Sequence, residues 1–235
     1  MTILALLLLI YKIFMLLKPV YLYLPPGLLE KCQSKDGPEG LTILCTNINT
    51  TRYLSYMPIQ NSQNVVRVDI INSIVDCLDL AHLSRFSSLA SLTVKNSHLK
   101  EVLCPARLGR DSSSVNNLKD LLSLDVSSNL LSHLDSRLQV AKLLETLNLS
   151  NNRFSHLCPV MASFTNLKYL DLSSNLFSNT LDKNIMEIIK NSLQILDLSG
   201  IFPQGFILCN NSCYFSSNSL PTCRPNSTLV GWRRS

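Results

Sequence analysis

The chain has 235 residues, eight cysteines and a formal net charge of +5, and 46% of its residues are hydrophobic. Its lysines and arginines form no cluster, so we expect no nucleic-acid partner. Eight cysteines are more than a cytosolic protein of this size normally carries, which favours an oxidising compartment. The histidines and cysteines form no recognisable catalytic pairing and no phosphate-binding loop occurs, so we expect neither enzymatic activity nor a cofactor.

Residues 1–24 form an apolar leader, predicted to be a signal peptide or a signal-anchor. The stretch from Thr2 to Leu17 is interrupted only by Tyr11 and Lys12, and this length fits a secretory signal better than a membrane span. No lysine or arginine precedes the stretch, and no small-x-small cleavage motif follows it. We expect a secreted, extracellular protein; in the alternative the segment is retained and anchors the chain in a membrane.

Residues 25–64 have the composition of an N-terminal cap. Cys32 and Cys45 bracket a stretch that contains glycine and proline, and Leu41-Thr-Ile-Leu-Cys45 is apolar enough to be a first strand. In a fold built from stacked repeats, the first and last repeats need a cap, because without one their core leucines would be exposed to water.

Residues 65–202 repeat one frame six times: an apolar residue, two others, an apolar residue, one other and a third apolar residue. The frames start at Val65, Leu89, Leu121, Leu144, Leu167 and Leu193. This fixed spacing is the signature of a leucine-rich repeat. It predicts an α/β solenoid, a horseshoe with short parallel strands on the concave face and loops, turns and a short helix on the convex side.

Asparagines recur where the predicted strands turn away, at Asn129, Asn152 and Asn175. A carboxamide both donates and accepts hydrogen bonds, so we expect a ladder of these side chains to satisfy backbone groups at successive turns. Ser73 and Ser97 take this position in the first two repeats and Ile201 takes it in the last, where we expect a weaker ladder.

Three segments depart from the regular period. Residues 108–117 are rich in glycine, serine and asparagine and are predicted to be an inserted loop. Residues 181–190 have isoleucines at helical spacing and are predicted to be a helix on the convex side. Residues 203–235 form a cap-like tail, whose three cysteines and abrupt end indicate a truncated cap.

The string Leu167-Lys-Tyr-Leu-Asp-Leu-Ser-Ser-Asn-Leu-Phe177 resembles the ectodomain repeats of Toll-like receptors and related extracellular leucine-rich proteins. The resemblance covers residues 30–200. It implies a curved solenoid whose surface binds a protein or microbial ligand, as in innate immunity. Toll-like receptors also have a membrane span and a signalling domain, which this sequence lacks, so we expect no signalling by this chain alone. The alternatives are a matrix or adhesion protein of the small leucine-rich type, and a cytosolic scaffold.

Three disulfides are expected among the eight cysteines: Cys32 with Cys45, Cys77 with Cys104, and Cys209 with Cys223. The first is implied by the resemblance to the caps of secreted leucine-rich proteins. The second joins nearly equivalent places of neighbouring repeats, and the third is one choice among three tail cysteines. Cys158 is expected to be a buried free thiol. Cys213 is left unpaired, and an odd thiol makes a homo- or hetero-oligomer an alternative.

The polar positions of the predicted strands are candidates for ligand contacts on the concave face. They are Arg67, Asp69, Lys95, Asp125, Glu145, Lys168, Tyr169, Asp171 and Asp197. We expect the central positions to be exposed as a mildly acidic stripe that suits a protein or peptide partner with basic residues. Tyr169 is the candidate aromatic anchor. The alternative is that Leu-Asp-Leu-Ser is simply the commonest sequence of this repeat and indicates no binding site.

Four Asn-x-Ser/Thr triplets predict N-glycosylation, at Asn49, Asn148, Asn210 and Asn226. A glycan on Asn148 would cover the centre of the concave face and move recognition to a lateral edge or the convex side. His133, His156 and Cys158 are close in repeat position, but zinc-type spacing and a fourth ligand are lacking, so we expect no metal site.

Overall fold

The computed structural model describes residues 27–104, 118–177, 192–201, 206–207 and 214–215. The leader, the inserted loop predicted at 108–117 and the helix predicted at 181–190 lie outside these residues. Eight strands form one sheet in chain order. They are β1 (Cys32–Gly37), β2 (Gly40–Thr46), β3 (Val65–Ile71), β4 (Ser91–Lys95), β5 (Ser123–Asp125), β6 (Thr146–Asn148), β7 (Tyr169–Asp171) and β8 (Ile195–Asp197).

The strand pairing confirms the predicted leucine-rich repeat solenoid. β1 and β2 form an antiparallel hairpin, and every later strand pairs in parallel with the one before it. Parallel neighbours need a long return path between them. That path holds short helices at Arg52–Tyr56 (α2), Leu80–Leu83 (α3) and the 3-10 turns Ser62–Asn64, Ser136–Val140 and Pro159–Ser163, while α1 (Leu28–Lys31) precedes β1. Two further strands, β9 (Phe206–Ile207) and β10 (Tyr214–Phe215), pair antiparallel with each other.

The core is a continuous stack of leucine and valine side chains. Register places Val68, Leu92, Leu124, Leu147 and Leu170 side by side, and all five are buried. Alternate strand residues point to opposite faces of a sheet, so the residues between these positions face outward. Each buried leucine contributes about 1.5–3 kcal/mol, but only because its neighbours in the next repeats cover it.

The asparagine ladder is confirmed. Asn152 Oδ1 accepts a hydrogen bond from the Leu131 N–H at 3.0 Å, and Asn152 Nδ2 donates to the carbonyls of Val126 and Leu149 at 2.9 and 3.0 Å. Asn129 and Asn175 make the same kind of bridge one repeat to either side. All three side chains are buried.

Serine continues the ladder in the first two repeats with fewer bonds. Ser73 Oγ accepts from the Ile48 N–H at 3.2 Å, and Ser97 Oγ accepts from the Ser73 N–H at 3.2 Å. A hydroxyl spans less distance and offers one hydrogen where a carboxamide offers two. The ladder is therefore thinner at this end, as predicted.

One to three residues after the end of each strand from β2 to β8, one residue has a left-handed backbone, with φ between 51° and 69°. These residues are Asn47, Asn72, Asn96, Ser128, Asn151, Ser174 and Gly200. Asparagine and glycine tolerate this conformation best, because other side chains crowd the following carbonyl. The repeated left-handed residue gives every repeat the same sharp turn out of the sheet.

The N-terminal end of the solenoid is capped by the β1–β2 hairpin, whose strands are joined by the disulfide Cys32–Cys45. Gly40 follows the hairpin turn with φ 140°, and a Cβ there would lie 2.7 Å from the Asn64 carbonyl oxygen. A second disulfide joins Cys77 and Cys104, whose Cα atoms are 4.8 Å apart. Both bridges confirm the predicted pairings, whereas Cys209, Cys213 and Cys223 lie outside the described residues.

Candidate ligand-binding surface on the concave face

The central outward positions of the strands form one row across the sheet. Register aligns Asp69, Thr93, Asp125, Asn148, Asp171 and Asp197 in adjacent strands. Parallel strands lie about 4.8 Å apart, so neighbouring side chains of this row are within contact distance. The row therefore brings together four aspartates that are far apart in sequence.

The exposure that we expected for this row holds only in part. Asp69, Thr93 and Asp171 are 8%, 9% and 8% exposed, which makes them buried residues. Asp125 and Asp197 are half-buried. The side chains fold back along the strand instead of extending into solvent.

The physical reason is a turn that recurs after the strand. Oδ1 of Asp125, Asp171 and Asp197 accepts the backbone N–H two residues later, at 2.9, 2.9 and 2.8 Å. An aspartate that bonds its own following backbone in this way stabilises the bend where the chain leaves the sheet. The aspartate of each Asp-x-Ser sequence thus stabilises the turn as well as carrying a charge.

Four of the candidate residues neutralise one another. Arg67 Nε lies 2.9 Å from Asp69 Oδ2 within one strand, and Lys168 Nζ lies 2.6 Å from Glu145 Oε1 in the neighbouring repeat. The Lys168–Glu145 pair is exposed, and such a pair contributes about 0–1 kcal/mol to stability. Lys95 is exposed at the end of β4.

Charge is unbalanced over the C-terminal half of the face, from β5 to β8. Among the described residues, Asp125, Asp171 and Asp197 accept hydrogen bonds only from neutral donors. Tyr169 Oη donates to Asp171 Oδ2 at 3.4 Å. Hydrogen bonds from neutral groups leave the negative charge in place, so this half attracts cations.

Two apolar side chains of the same half of the face are exposed, and sequence reasoning missed them. Ile195 pairs in register with Tyr169 and is 37% exposed. Leu122, which precedes β5 at the frame position of Glu145 and Lys168, is 42% exposed. Both occupy frame positions that face outward, so an apolar residue there was the available signal.

The predicted glycosylation sites differ in their surroundings. Asn49 is exposed, and its triplet ends at the buried Thr51, whose Oγ1 lies 2.7 Å from His82 Nδ1. Asn148 is half-buried in the concave row. Asn148 Oδ1 accepts from the N–H and the Oγ of Ser150 at 3.0 and 2.7 Å. Asn210 and Asn226 lie outside the described residues.

Cys158 is a buried free thiol, as expected. Its Sγ accepts the Leu134 N–H at 3.2 Å, and burial raises the pKa of the thiol. Across the described part of the chain, histidine, cysteine, aspartate and glutamate form no group of three or more that could hold a metal ion. In the same residues, no helix has the length and apolar character to cross a membrane.

Comparison with known proteins gives structural likeness only. No protein-family model matches the sequence, and a search of curated proteins finds no significant match. A solved structure of the TLR13–ssRNA13 complex is similar, with 18% identity and a TM-score of 0.47 over 65% of this chain and 20% of that one. The leucine-rich repeat ectodomain of the receptor kinase GASSHO1/SCHENGEN3 from Arabidopsis thaliana, in complex with CASPARIAN STRIP INTEGRITY FACTOR 2, has 19% identity and a TM-score of 0.48. That match covers 66% of this chain and 17% of the ectodomain, so the chain spans at most a fifth of either structure.

Proposed function

We propose that the protein is a non-enzymatic, extracellular recognition module that binds a basic peptide or protein segment. The binding surface is the C-terminal half of the concave face, β5 to β8. The observation that carries this proposal is a row of three aspartates that have no cationic partner among the described residues, on the same half of the face as two exposed apolar side chains. A segment with alternating basic and apolar residues would match both features.

The charges of the face favour this polarity of partner. Asp125, Asp171 and Asp197 carry three negative charges within four neighbouring strands, whereas Arg67 and Lys168 are already paired with carboxylates. A surface of one sign speeds encounter with a partner of the opposite sign and disfavours partners of its own sign. Acidic ligands are therefore disfavoured here.

Tyr169 and Ile195 supply the apolar contact. The two residues are neighbours in register, and aromatic side chains dominate many interfaces because they bury a large area at a low entropic cost. Their position beside Asp171 places an apolar anchor and a charge within one peptide side chain's reach. The affinity would come from the anchor and the selectivity from the charge.

The extracellular location rests on disulfide chemistry and on the leader. Two bridges, Cys32–Cys45 and Cys77–Cys104, support an oxidising compartment, because cytosolic thiols are normally kept reduced. The leader at residues 1–24 supports entry into the secretory pathway from sequence alone.

The proposal is tested by fluorescence anisotropy on protein purified from the medium of secretory cells. The probe is a labelled peptide of alternating lysine and leucine, and the matched peptide carries glutamate in place of lysine. We expect the lysine peptide to bind and the double variant Asp171→Ser/Asp197→Ser to bind it about tenfold more weakly, since two lost charge pairs cost about 1–2 kcal/mol. Serine removes the charge and keeps an oxygen that can accept the turn hydrogen bond, whereas asparagine before Leu172-Ser173 and Leu198-Ser199 would create new glycosylation triplets.

The control variant Asp76→Ser/Asp120→Ser removes the same charge from positions outside the strands, and should leave the affinity unchanged. Tighter binding of the glutamate peptide or of single-stranded RNA would contradict the proposal. An equal loss of affinity for the lysine peptide in the two double variants would also contradict the proposal.

A further inference from the structure

We infer that the secreted protein carries an N-linked glycan on Asn49 and none on Asn148, which leaves the concave face open. The inference rests on the proposed extracellular function. It separates two triplets that are equivalent as sequence motifs. The separation comes from where the fold places each carboxamide.

Asn49 lies on a lateral edge of the solenoid, outside the concave face. The Asn47 N–H donates to the Asn72 carbonyl at 3.3 Å, and the Ile74 N–H donates to the Ile48 carbonyl at 2.8 Å. These bonds continue the register of β2 and β3 beyond the strands, so Asn49 and Ile74 occupy the same position in adjacent repeats. The Asn49 side chain is exposed there, as a bulky glycan requires.

Ile74 is the residue of the next repeat that lies beside Asn49. It is 66% exposed, the highest value among the exposed large apolar side chains of the described residues. A single exposed apolar side chain is common on a folded protein and is no evidence for a glycan by itself; Leu176, at the equivalent position of a later repeat, is 62% exposed. The first sugars of a glycan on Asn49 would lie over the neighbouring repeat and cover Ile74. This covering is a consequence of the inference that can be measured.

Asn148 has the opposite surroundings. Its carboxamide takes the turn position that aspartate takes in three other strands, and its Oδ1 is bonded twice to Ser150. Ser150 is also the hydroxyl residue of the triplet, so the acceptor and its serine are bonded to each other. Asn148 Nδ2, the atom that a glycan would modify, lies 3.5 Å from Asp125 Oδ2 inside the half-buried row. A glycan at that atom would have to open this arrangement.

The test compares two matched variants of the full chain, Asn49→Asp and Asn148→Asp, expressed in secretory cells. Aspartate removes each acceptor and, at 148, keeps the oxygen that accepts from Ser150. Gel mobility is read with and without enzymatic N-glycan removal, and peptide mass mapping reads each site. We expect Asn49→Asp to lose one glycan step relative to the unchanged protein and Asn148→Asp to lose none.

Covering of Ile74 is read separately. Binding of a fluorescent hydrophobic dye should rise in Asn49→Asp and return to the level of the unchanged protein in Asn49→Asp/Ile74→Gln, which creates no new glycosylation triplet at Asn72. Dye binding that stays constant across the three proteins would overturn the covering of Ile74.

The two proposals fail differently. Protein in the medium with a bare Asn49, or with a glycan on Asn148, overturns this inference and leaves the recognition function standing. Protein that stays in the cytosol without any glycan overturns both.

Discussion

Asn152 shows how one side chain can hold three segments of backbone. It serves the N–H of Leu131 and the carbonyls of Val126 and Leu149, and it is 6% exposed. Asn152→Ala would leave these buried groups without partners, and each costs about 1–3 kcal/mol. We expect a loss of about 2–4 kcal/mol in the free energy of unfolding, measured by urea denaturation.

The control for this substitution is Asn166→Ala. Asn166 makes one exposed hydrogen bond to the Lys142 carbonyl, so its loss should change stability by less than about 0.5 kcal/mol. Equal effects of the two substitutions would mean that the ladder does not hold the turns.

Ser127 and Ser173 occupy the same repeat position with different bonding. Ser127 Oγ is buried and has no hydrogen-bond partner among the described residues, whereas Ser173 Oγ donates to Asp171 Oδ1 at 2.6 Å. Ser127→Ala removes an unsatisfied hydroxyl and should raise the free energy of unfolding by about 1 kcal/mol, while Ser173→Ala should lower it by about as much. The measurement is thermal unfolding of the two variants. Melting temperatures that shift in the same direction in both variants would contradict the prediction.

Ionisation of Asp135 makes the stability of the folded protein depend on pH in the acidic range. Partial burial opposes ionisation of this carboxyl group, but hydrogen bonds from the Arg137 side chain and backbone, together with the Arg137 charge, outweigh it and lower the pKa of Asp135. A lowered folded-state pKa gives stability that is present above the unfolded pKa of about 3.9 and is lost as the pH falls through the folded value.

The measurement is the melting temperature of the unchanged protein and of Asp135→Asn between neutral and strongly acidic pH. The unchanged protein should melt higher by a constant margin above about pH 4, and the margin should shrink below it. A margin that is the same at both ends of the range would mean that the charge of Asp135 contributes nothing.

Arg85 joins the N-terminal segment to the first repeat. Its guanidinium donates to the carbonyls of Ser55 and Met57 at 3.0 and 3.1 Å and reaches those of Leu54 and Ile59 at 3.4 Å. A lysine ammonium cannot reproduce this planar fork. We expect Arg85→Lys to lower the free energy of unfolding by about 1–2 kcal/mol and to speed hydrogen exchange around α2.

Arg52→Lys is the matched control, because Arg52 begins the same helix and is exposed. It should change neither stability nor exchange by a measurable amount. Faster exchange in both variants would show that α2 is loosely held whatever Arg85 does.

The sequence predicted the strands of the solenoid well and its return paths poorly. Strands such as β5 and β7 follow from burial on one face, which leaves a strict spacing of leucines. The short helices at Arg52–Tyr56 and Pro159–Ser163 have no such periodicity, because they pack on different partners in each repeat. Tertiary contacts therefore determine where these short helices form.

The candidate site was predicted in outline, and its details depend on neighbours distant in sequence. The aspartate row follows from the frame, but the pairing of Glu145 with Lys168 depends on register between repeats. The burial of Asp171 depends on its bonds to Ser173, and the exposure of Ile195 depends on what packs beside β8. Spacing along the chain cannot supply these distances.

At the scale of the whole molecule, the solenoid separates its tasks by surface. In the part of the chain that the structure describes, the concave face carries three aspartates without a cationic partner and two exposed apolar side chains, the buried faces carry the leucine stack and the asparagine ladder, and Asn49 and Ile74 lie beyond the strand ends. Solenoid repeats contact only their neighbours, so a ligand that lies across several strands couples repeats that are otherwise independent.

Hydrogen exchange of the purified protein with and without the lysine–leucine peptide tests this division most directly. The account predicts slower exchange confined to amides of β5 to β8 and the turns that follow them, with β3, β4 and the edge at Asn49 unchanged. Protection centred on the lateral edge or on β3 and β4 would contradict the account, and so would saturable binding that protects no strand of the concave face.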